Sequence, residues 1–528
     1  MSDYWAKAPC PREQLVLFPT SIDSMIPPDH QVRLFAELLD LCDWSAWEAR
    51  YHGRIGQPPI HPKIVAGLLL YGLRNQVRSS RRLEYMASHA IDFIWLAEGH
   101  RPDHSTICEF RTRFATELRD LFQQVIRIAL KAGALSLAEV AFDGTRVKAN
   151  NNRYATWTAE KLESRIAELA KEFDAALAEL SRNDSEGAKA GTLATSQLPP
   201  HLAKLKERQE LLKQARDKCR EADRVRRLEG IDPQKSPAQI PKQDMDARVL
   251  PNKEGGYAVN YNPVVATESK GGYIVDADVL STASENNELV PSLDRIEAAH
   301  QQKPDQVLAD GLFSTGPNIV ALEQRGIELY SPVSLPEPQA NPANRADPTQ
   351  PVPESDWPQL PISPQTKRLD KACFIFDPAR NAYYCPMGRT LPYDETKTDR
   401  HNGQKRTLNI YRCESCDGCP LKARCITDRS TVGVRSVTRD AYANDRERHA
   451  AKMLGEQAKA IYRQRMHVAE TPFGFIKHVL GLRQFLLRGL DKVKTEWLWA
   501  CLTSNVTKLS RHLRGPHATT KLETAKIG

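Results

Sequence analysis

AEVAFDGTRVKAN, residues 138–150, is the stretch on which the reading of the whole chain turns. Its apolar run Val140-Ala141-Phe142 carries Asp143 to the end of a short segment closed by Gly144. A continuous apolar segment of this length fits an inner sheet strand, which is covered on both faces and need not alternate. Asp143 is therefore expected on rigid scaffold, at a strand end. Gln306-Val307-Leu308-Ala309 repeats the arrangement into Asp310 and Gly311, with a helix expected to open near Ser314 or Thr315. Two carboxylates at two strand ends make half of a hard-metal site, and Glu470 in HVAETPFGFIKH is the candidate third.

Working outward, a chain of 528 residues has room for about three or four domains. A hydrophobic content of 41% supports a sizeable core. The net charge is +8, and residues 456–528 alone carry thirteen basic against five acidic side chains, so the surplus is regional. A basic tail beside a carboxylate cluster points to an anionic polymer near a metal, against the plainer reading of a solvated charged face. The apolar run Ile64 to Leu73 is far shorter than the ~20 residues a membrane span needs, so no membrane partner is expected. MSDYWAKAPCPREQ has no basic-then-apolar leader, which points to a cytoplasmic protein. In that setting eleven cysteines are free thiols or metal ligands rather than a disulfide framework.

Residues 1–134 read as helical. Leu15-Val16-Leu17-Phe18-Pro19 precedes a pattern through Leu34, Leu38, Leu39 and Leu41, and a helix from Pro62 places Ile64, Val65, Leu68, Leu69 and Leu73 on one face. Ser79 or Ser80 would cap the next helix, whose first turn presents Arg81 and Arg82 outward. Thr106 and Glu109 are spaced as a capping box for a long helix with Ile107, Phe110, Phe114, Leu118, Leu121, Val125 and Ile128 as its stripe, ended by Gly133. Short helices with a basic turn fit a helix-turn-helix DNA reader, and equally an ordinary docking domain.

Residues 135–330 read as the first part of a mixed α/β core. Within it, an insertion at 156–230 has the spacing of a helical hairpin: Leu162, Ile166, Leu169, Phe173, Ala176 and Leu180 alternate by four and three. Strand formers on either side of Lys270-Gly271-Gly272 predict a β-hairpin, followed by a helix through Leu289, Leu293 and Ile296. Residues 331–370 are read as a linker, with ten prolines between 331 and 364. Residues 371–450 form a Cys-rich insertion. There Cys385, Cys416, Cys419 and Cys425 suit a structural Zn²⁺ bound by four thiolates, while Cys413, also in a CxxC with Cys416, leaves the ligand choice open.

Residues 451–515 return to the core with Glu470. Pro472 is expected in the first turn of a new helix, which puts Glu470 at a helix start. Lys477 lies two turns on along the same face, with Gly474 between them leaving room for a backbone to approach. Arg483 and Arg488 extend the basic supply, and Phe473, Ile476, Leu480 and Leu486 can face the core. Three carboxylates can hold two Mg²⁺ ions, or Mn²⁺, for an in-line phosphoryl displacement. No GxxxxGK[ST] loop is present, so no nucleotide cofactor is implied, and neither GxSxG nor HExxH occurs.

These residues resemble the DDE transposases of bacterial insertion sequences, which share an RNase H-like fold. FDGT at Asp143, LADGLFS at Asp310 and YRQRMHVAETPFGFIKHVLGLRQFLLRG carry the likeness. In the last, Tyr462, Arg465, Glu470 and Lys477 resemble the Y-R-E-K signature of one branch, with an Arg-to-Glu interval one residue longer than the pattern. HPKIVAGLLLYG, RSSRRLEYMA and HSTICEFRTRF resemble the amino-terminal domain attached to such enzymes, and CPMG with CDGCPLKARC resembles a Cys-bearing insertion.

The resemblance implies an α/β RNase H-like mixed sheet with helices, preceded by an all-α domain. It also implies catalysis by Asp143, Asp310 and Glu470, with DNA contacts from Tyr462, Arg465, Lys477, Arg483, Arg81 and Arg82. Its partners would be terminal inverted repeats and target DNA, bound by a dimer or higher assembly at a bacterial nucleoid. Two other readings stand beside it: a catalytically inactive DNA-binding derivative, and an RNase H-like nuclease acting on RNA or hybrids.

Overall fold

The computed structural model describes residues 21–513 except 52–57, 153, 190–199, 229–231, 253–254, 283, 334–340, 402–403 and 428–432. The Leu15–Pro19 segment lies outside the described residues. Helices α1 (Gln31–Asp40), α2 (Pro62–Arg74), α3 (Ser80–His89), α4 (His104–Arg113) and α5 (Ala115–Lys131) build the amino-terminal part. Helix α2 starts on Pro62, where the missing N–H is no loss, and is buried almost all round. Ser79 precedes α3 without a side-chain cap, and Arg81 and Arg82 are exposed, as expected.

The long helix expected from Thr106 is two helices. Asp103, not Thr106, is the cap, its carboxylate accepting the Thr106 N–H at 2.6 Å. The break falls at Phe114, whose ring packs between Trp47, Phe110 and Tyr51, so aromatic packing overrides helical continuation there.

The central sheet runs β3-β2-β1-β4-β5, with β1 Glu139–Gly144, β2 Tyr257–Glu268, β3 Ile274–Leu280, β4 Gln306–Ala309 and β5 Glu328–Tyr330. Strands β1, β4 and β5 are parallel, and β2 lies antiparallel to β1 with Asp143 opposite Val265. This is the mixed RNase H-like arrangement. Alternation along β1 sends Val140 and Phe142 to one face and Ala141 and Asp143 to the other. Val140 and Phe142 join the main core, while Ala141 packs with Leu308, Tyr330, Ala458, Val468 and Ala469.

Between β1 and β2 the chain leaves as α6 (Ala159–Lys189) and returns as α7 (Pro200–Leu228), the expected hairpin. Leu162 and Leu169 are buried at its base, where Ala215 and Cys219 close a small core with Ile240. After β3 come α8 (Leu289–His300), β4, α9 (Gly316–Gln324) and β5. Thr315 caps α9, its hydroxyl accepting the Asn318 N–H.

The stretch expected as a linker is part of a core. Ala343, Val352, Leu360 and Leu369 are buried with Cys373, Tyr383, Leu391 and Tyr411. Prolines fix extended backbone that needs no donors of its own, so a few apolar side chains spaced along it suffice to dock it. The body they dock on is the antiparallel meander β6 Ile375–Asp377, β7 Ala382–Tyr384, β8 Thr390–His401, β9 Gln404–Arg412 and β10 Ser436–Asp440. Helix α10 (Ala443–Leu454) then leads back to the central sheet, with His449 bonded to Ser331 O at 2.9 Å.

The chain closes with α11 (Glu456–Arg463), α12 (Arg465–Gly474) and α13 (Leu490–Leu513). Helix α13 is buried along most of its length, and one core runs continuously from Ile26 to Leu513. The Asn505 amide bonds both Ile274 N (2.9 Å) and Ile274 O (2.7 Å), seating α13 on β3.

Candidate active site

The site grows from strand register. The last paired residues of the parallel strands β1 and β4 are Phe142 and Ala309, so Asp143 and Asp310 are the next residues at the same level. Neighbouring strands lie about 4.8 Å apart, and equal levels on parallel strands present side chains to one face. Both carboxylates therefore stand together at the carboxyl ends of adjoining strands, facing the layer that α12 covers.

Asp143 is buried, and its Oδ1 accepts the Gly144 N–H at 2.9 Å and lies 3.2 Å from Arg465 Nη2. Asp310 caps the short turn Gly311–Phe313 through the Leu312 N–H at 2.8 Å, and its carbonyl accepts the Ser331 hydroxyl. Tyr462, at the end of α11, is held above the ordinary tyrosine range by burial, with Asp310 and Asp143 adding to the rise and Arg465 opposing it. One tyrosine thus stands within electrostatic reach of both aspartates and the arginine. Two residues beyond Asp143, Thr145 Oγ1 accepts from Lys477 Nζ at 2.5 Å.

Glu470 is placed differently from expectation. Pro472 lies inside α12 rather than opening a helix, so Glu470 is mid-helix. Pro472 is buried in the packed face of α12, and a π-helical turn, Phe475–Val479, follows the helix. Val468 and Ala469 make the contact with the sheet, and Glu470 is exposed, with no hydrogen bond or ion pair among the described residues. Lys477, seven residues on, lies beyond α12 in the π-helical turn, which breaks the two-turn spacing expected between them, and it reaches the Asp143 loop. No backbone of the chain packs against Gly474, where a Cβ would meet nothing within 4 Å, so the space beside it is open. Leu486 is 42% exposed rather than in the core, whereas Phe473, Ile476 and Leu480 are buried.

The loop after Leu480 is locked to the site. Phe485 N donates to Lys148 O at 2.8 Å, and Arg488 Nε to Asn150 O at 2.9 Å. Arg78 holds the same loop from the amino-terminal part, through Gly481 O, Gln484 O and the buried carboxylate of Glu496. Arg78 is thus spent on structure, leaving Arg81 and Arg82 to solvent. Arg483 is exposed beside His478.

The sequence reading missed Glu285. It is buried against Gly144, where an added Cβ would fall 1.4 Å from Glu285 Oε2, so a side chain after Asp143 would have to displace that carboxylate. Arg146, half-buried, feels its charge. Nothing local marks Glu285, which reaches the site only through the fold.

Among the described residues no group of three or more His, Cys, Asp or Glu stands ready to hold a metal ion. The all-oxygen donor set of Asp143, Asp310 and Glu470 nevertheless has the chemistry of a Mg²⁺ or Mn²⁺ site. In the Cys-rich module Cys385, Cys413, Cys416, Cys419 and Cys425 line one cavity of about 20 Å³, the room of a single water or ion. Gly388, at φ +73° in the turn after Cys385, admits the approach of Thr349 O, which a Cβ would meet at 2.0 Å. Burial pushes the Cys413 and Cys425 thiols up to about 12, so both are neutral near pH 7.

Two family models match the chain: a transposase DDE domain over residues 384–510, and a transposase domain (DUF772) over residues 20–113. No curated protein matches it. Among solved structures, the cryo-EM structure of a piggyBac transposase synaptic complex with hairpin DNA is 11% identical, covering 94% of this chain and 85% of that one at a TM-score of 0.22. That score is too low for the two folds to be compared.

Proposed function

We propose that the chain, which two transposase family models match in part, is a DDE-type transposase that cuts and joins DNA at the terminal inverted repeats of a bacterial insertion sequence. The observation that carries this reading is the pairing of Asp143 and Asp310 at one level of adjoining strands, beneath a helix bearing Arg465 and Glu470.

Asp143, Asp310 and Glu470 would hold two Mg²⁺ or Mn²⁺ ions, which when bound supply charge neutralisation at the attacking and leaving oxygens of phosphoryl transfer. The chain's own part is positioning. Tyr462, Arg465, Lys477 and Arg483 would hold backbone phosphates, and the exposed Arg81 and Arg82 of α3 would add contacts to the flanking duplex. Arginine suits this task because its planar fork matches a phosphate. Two DNA ends must be held at once, which calls for a dimer or higher assembly. Cys385, Cys416, Cys419 and Cys425 would hold a structural Zn²⁺, which has to displace their protons on binding. No described helix is long and apolar enough to cross a membrane.

Strand cleavage of element-end DNA with Mg²⁺ tests the reading. The unaltered protein should nick and Asp143→Ala should nick far less; undiminished cleavage by the variant rejects the assignment. The position of Glu470, apart from the two aspartates, favours a second reading, a DNA-binding derivative without catalysis. Salt-sensitive binding to element ends with no metal-dependent nicking by the unaltered protein would establish that one.

A further inference from the structure

The Arg465 guanidinium stands against Asp143 with the two side chains 14% and 8% exposed, a burial at which the pair is little screened by salt. Its Nε is buried without a hydrogen-bond partner among the described residues, so one arm of the fork is still open. Asp310 ends the neighbouring strand at the same level, and its carboxylate makes no ion pair among the described residues. The Arg465 charge thus sits on one of two adjacent carboxylates, which would repel each other without nearby positive charge.

The geometry points to Arg465 as the counterion of the aspartate pair in the DNA-free protein, a positioning residue that holds the cation-binding face of Asp143 until a DNA phosphate draws it away. This rests on the carboxylate site proposed above and adds a sequence of events to it. A guanidinium fork accepts a carboxylate or a phosphate in the same geometry. Passing Arg465 from Asp143 to a phosphate therefore strands no charge, provided that a divalent ion takes its place. By linkage, DNA and metal then each strengthen binding of the other. The consequence is a protein that takes up its ions at a bound DNA end and holds them weakly elsewhere.

Titration of the full-length, DNA-free protein with Mn²⁺, followed by electron paramagnetic resonance, tests this. Arg465→Gln should bind Mn²⁺ more tightly than the unaltered protein, by a factor of about 5 to 150 as is usual for coupled sites. Adding Asp143→Asn to that variant should cancel the gain. Arg465→Lys, with a compact charge on a different stem, should fall between, and it carries the comparison if circular dichroism shows Arg465→Gln to be unfolded. Equal Mn²⁺ affinity with and without Arg465, lost in both cases on Asp143→Asn, overturns the counterion role and leaves the carboxylate site standing. Mn²⁺ binding indifferent to Asp143→Asn removes the carboxylate site, and this inference with it.

Discussion

The strand ends of the central sheet and the cavity of the Cys-rich module both gather titratable groups, and they treat them in opposite ways. At the sheet, Asp143 is buried against the Arg465 guanidinium and accepts the Gly144 amide. In the module, burial favours the neutral form of the Cys413 and Cys425 thiols, both pushed up to about 12. A metal arriving at the first region has to displace a fixed cation; at the second it has to displace protons. The two sites should therefore answer to different variables, the first to DNA and the second to pH.

The largest effect is expected where a buried carboxylate serves structure alone. Glu496 is 5% exposed and accepts from Arg78 and from the Leu486 and Leu487 amides. Removing one partner of a buried pair costs about 3–5 kcal/mol. Urea unfolding of Glu496→Ala should show a loss of that order, and a midpoint unchanged from the unaltered protein would mean the charge balance there is unimportant. Next comes Asp143→Ala, with element-end cleavage expected to fall by about 10²- to 10³-fold, the usual loss when one electrostatic stabiliser of a transition state is removed.

The module gives the contrast in pH. A thiol raised from 9.0 to about 12 is favoured in its neutral form by folding, so its contribution is fully present below pH 9 and is lost as pH rises through 12. Thermal melts of metal-free protein should weaken across that window, while Zn²⁺ loading, followed by proton release, should tighten with pH across the neutral range. The smallest effect expected is that of Cys413→Ser on zinc stoichiometry. The Cys413 thiol already donates to Ser415 O at 3.2 Å, so the variant should retain the ion that Cys416→Ser loses. Loss of zinc from Cys413→Ser would redraw the ligand set.

What could be read from the sequence follows the same division. Strands β1 and β4 were legible because buried inner strands leave unbroken apolar runs, and Asp143 and Asp310 could be placed at their ends. The hairpin β2–β3 was legible from Lys270-Gly271-Gly272 between strand formers. That the two aspartates share one level was not, because register belongs to the pairing of strands far apart in the chain. Glu470 was misplaced because Pro472 reads locally as a helix start, and only burial against the sheet keeps it inside α12. The proline-rich stretch misled in the same way: its composition lacks a core of its own, yet Val352 and Leu360 complete someone else's. Glu285 and the division of labour between Arg78 and Arg81 have no local signal at all.

The unbroken core from Ile26 to Leu513 sets a limit on how such a protein can be taken apart. Cutting the chain near residue 134 to obtain the sheet alone would strip the apolar cover from α13 and leave Glu496 without its arginine. The amino-terminal helices are therefore as much a wall of the chemical half as a module in their own right. Exchange of that segment between related chains would need matching changes along α13 to yield a soluble product.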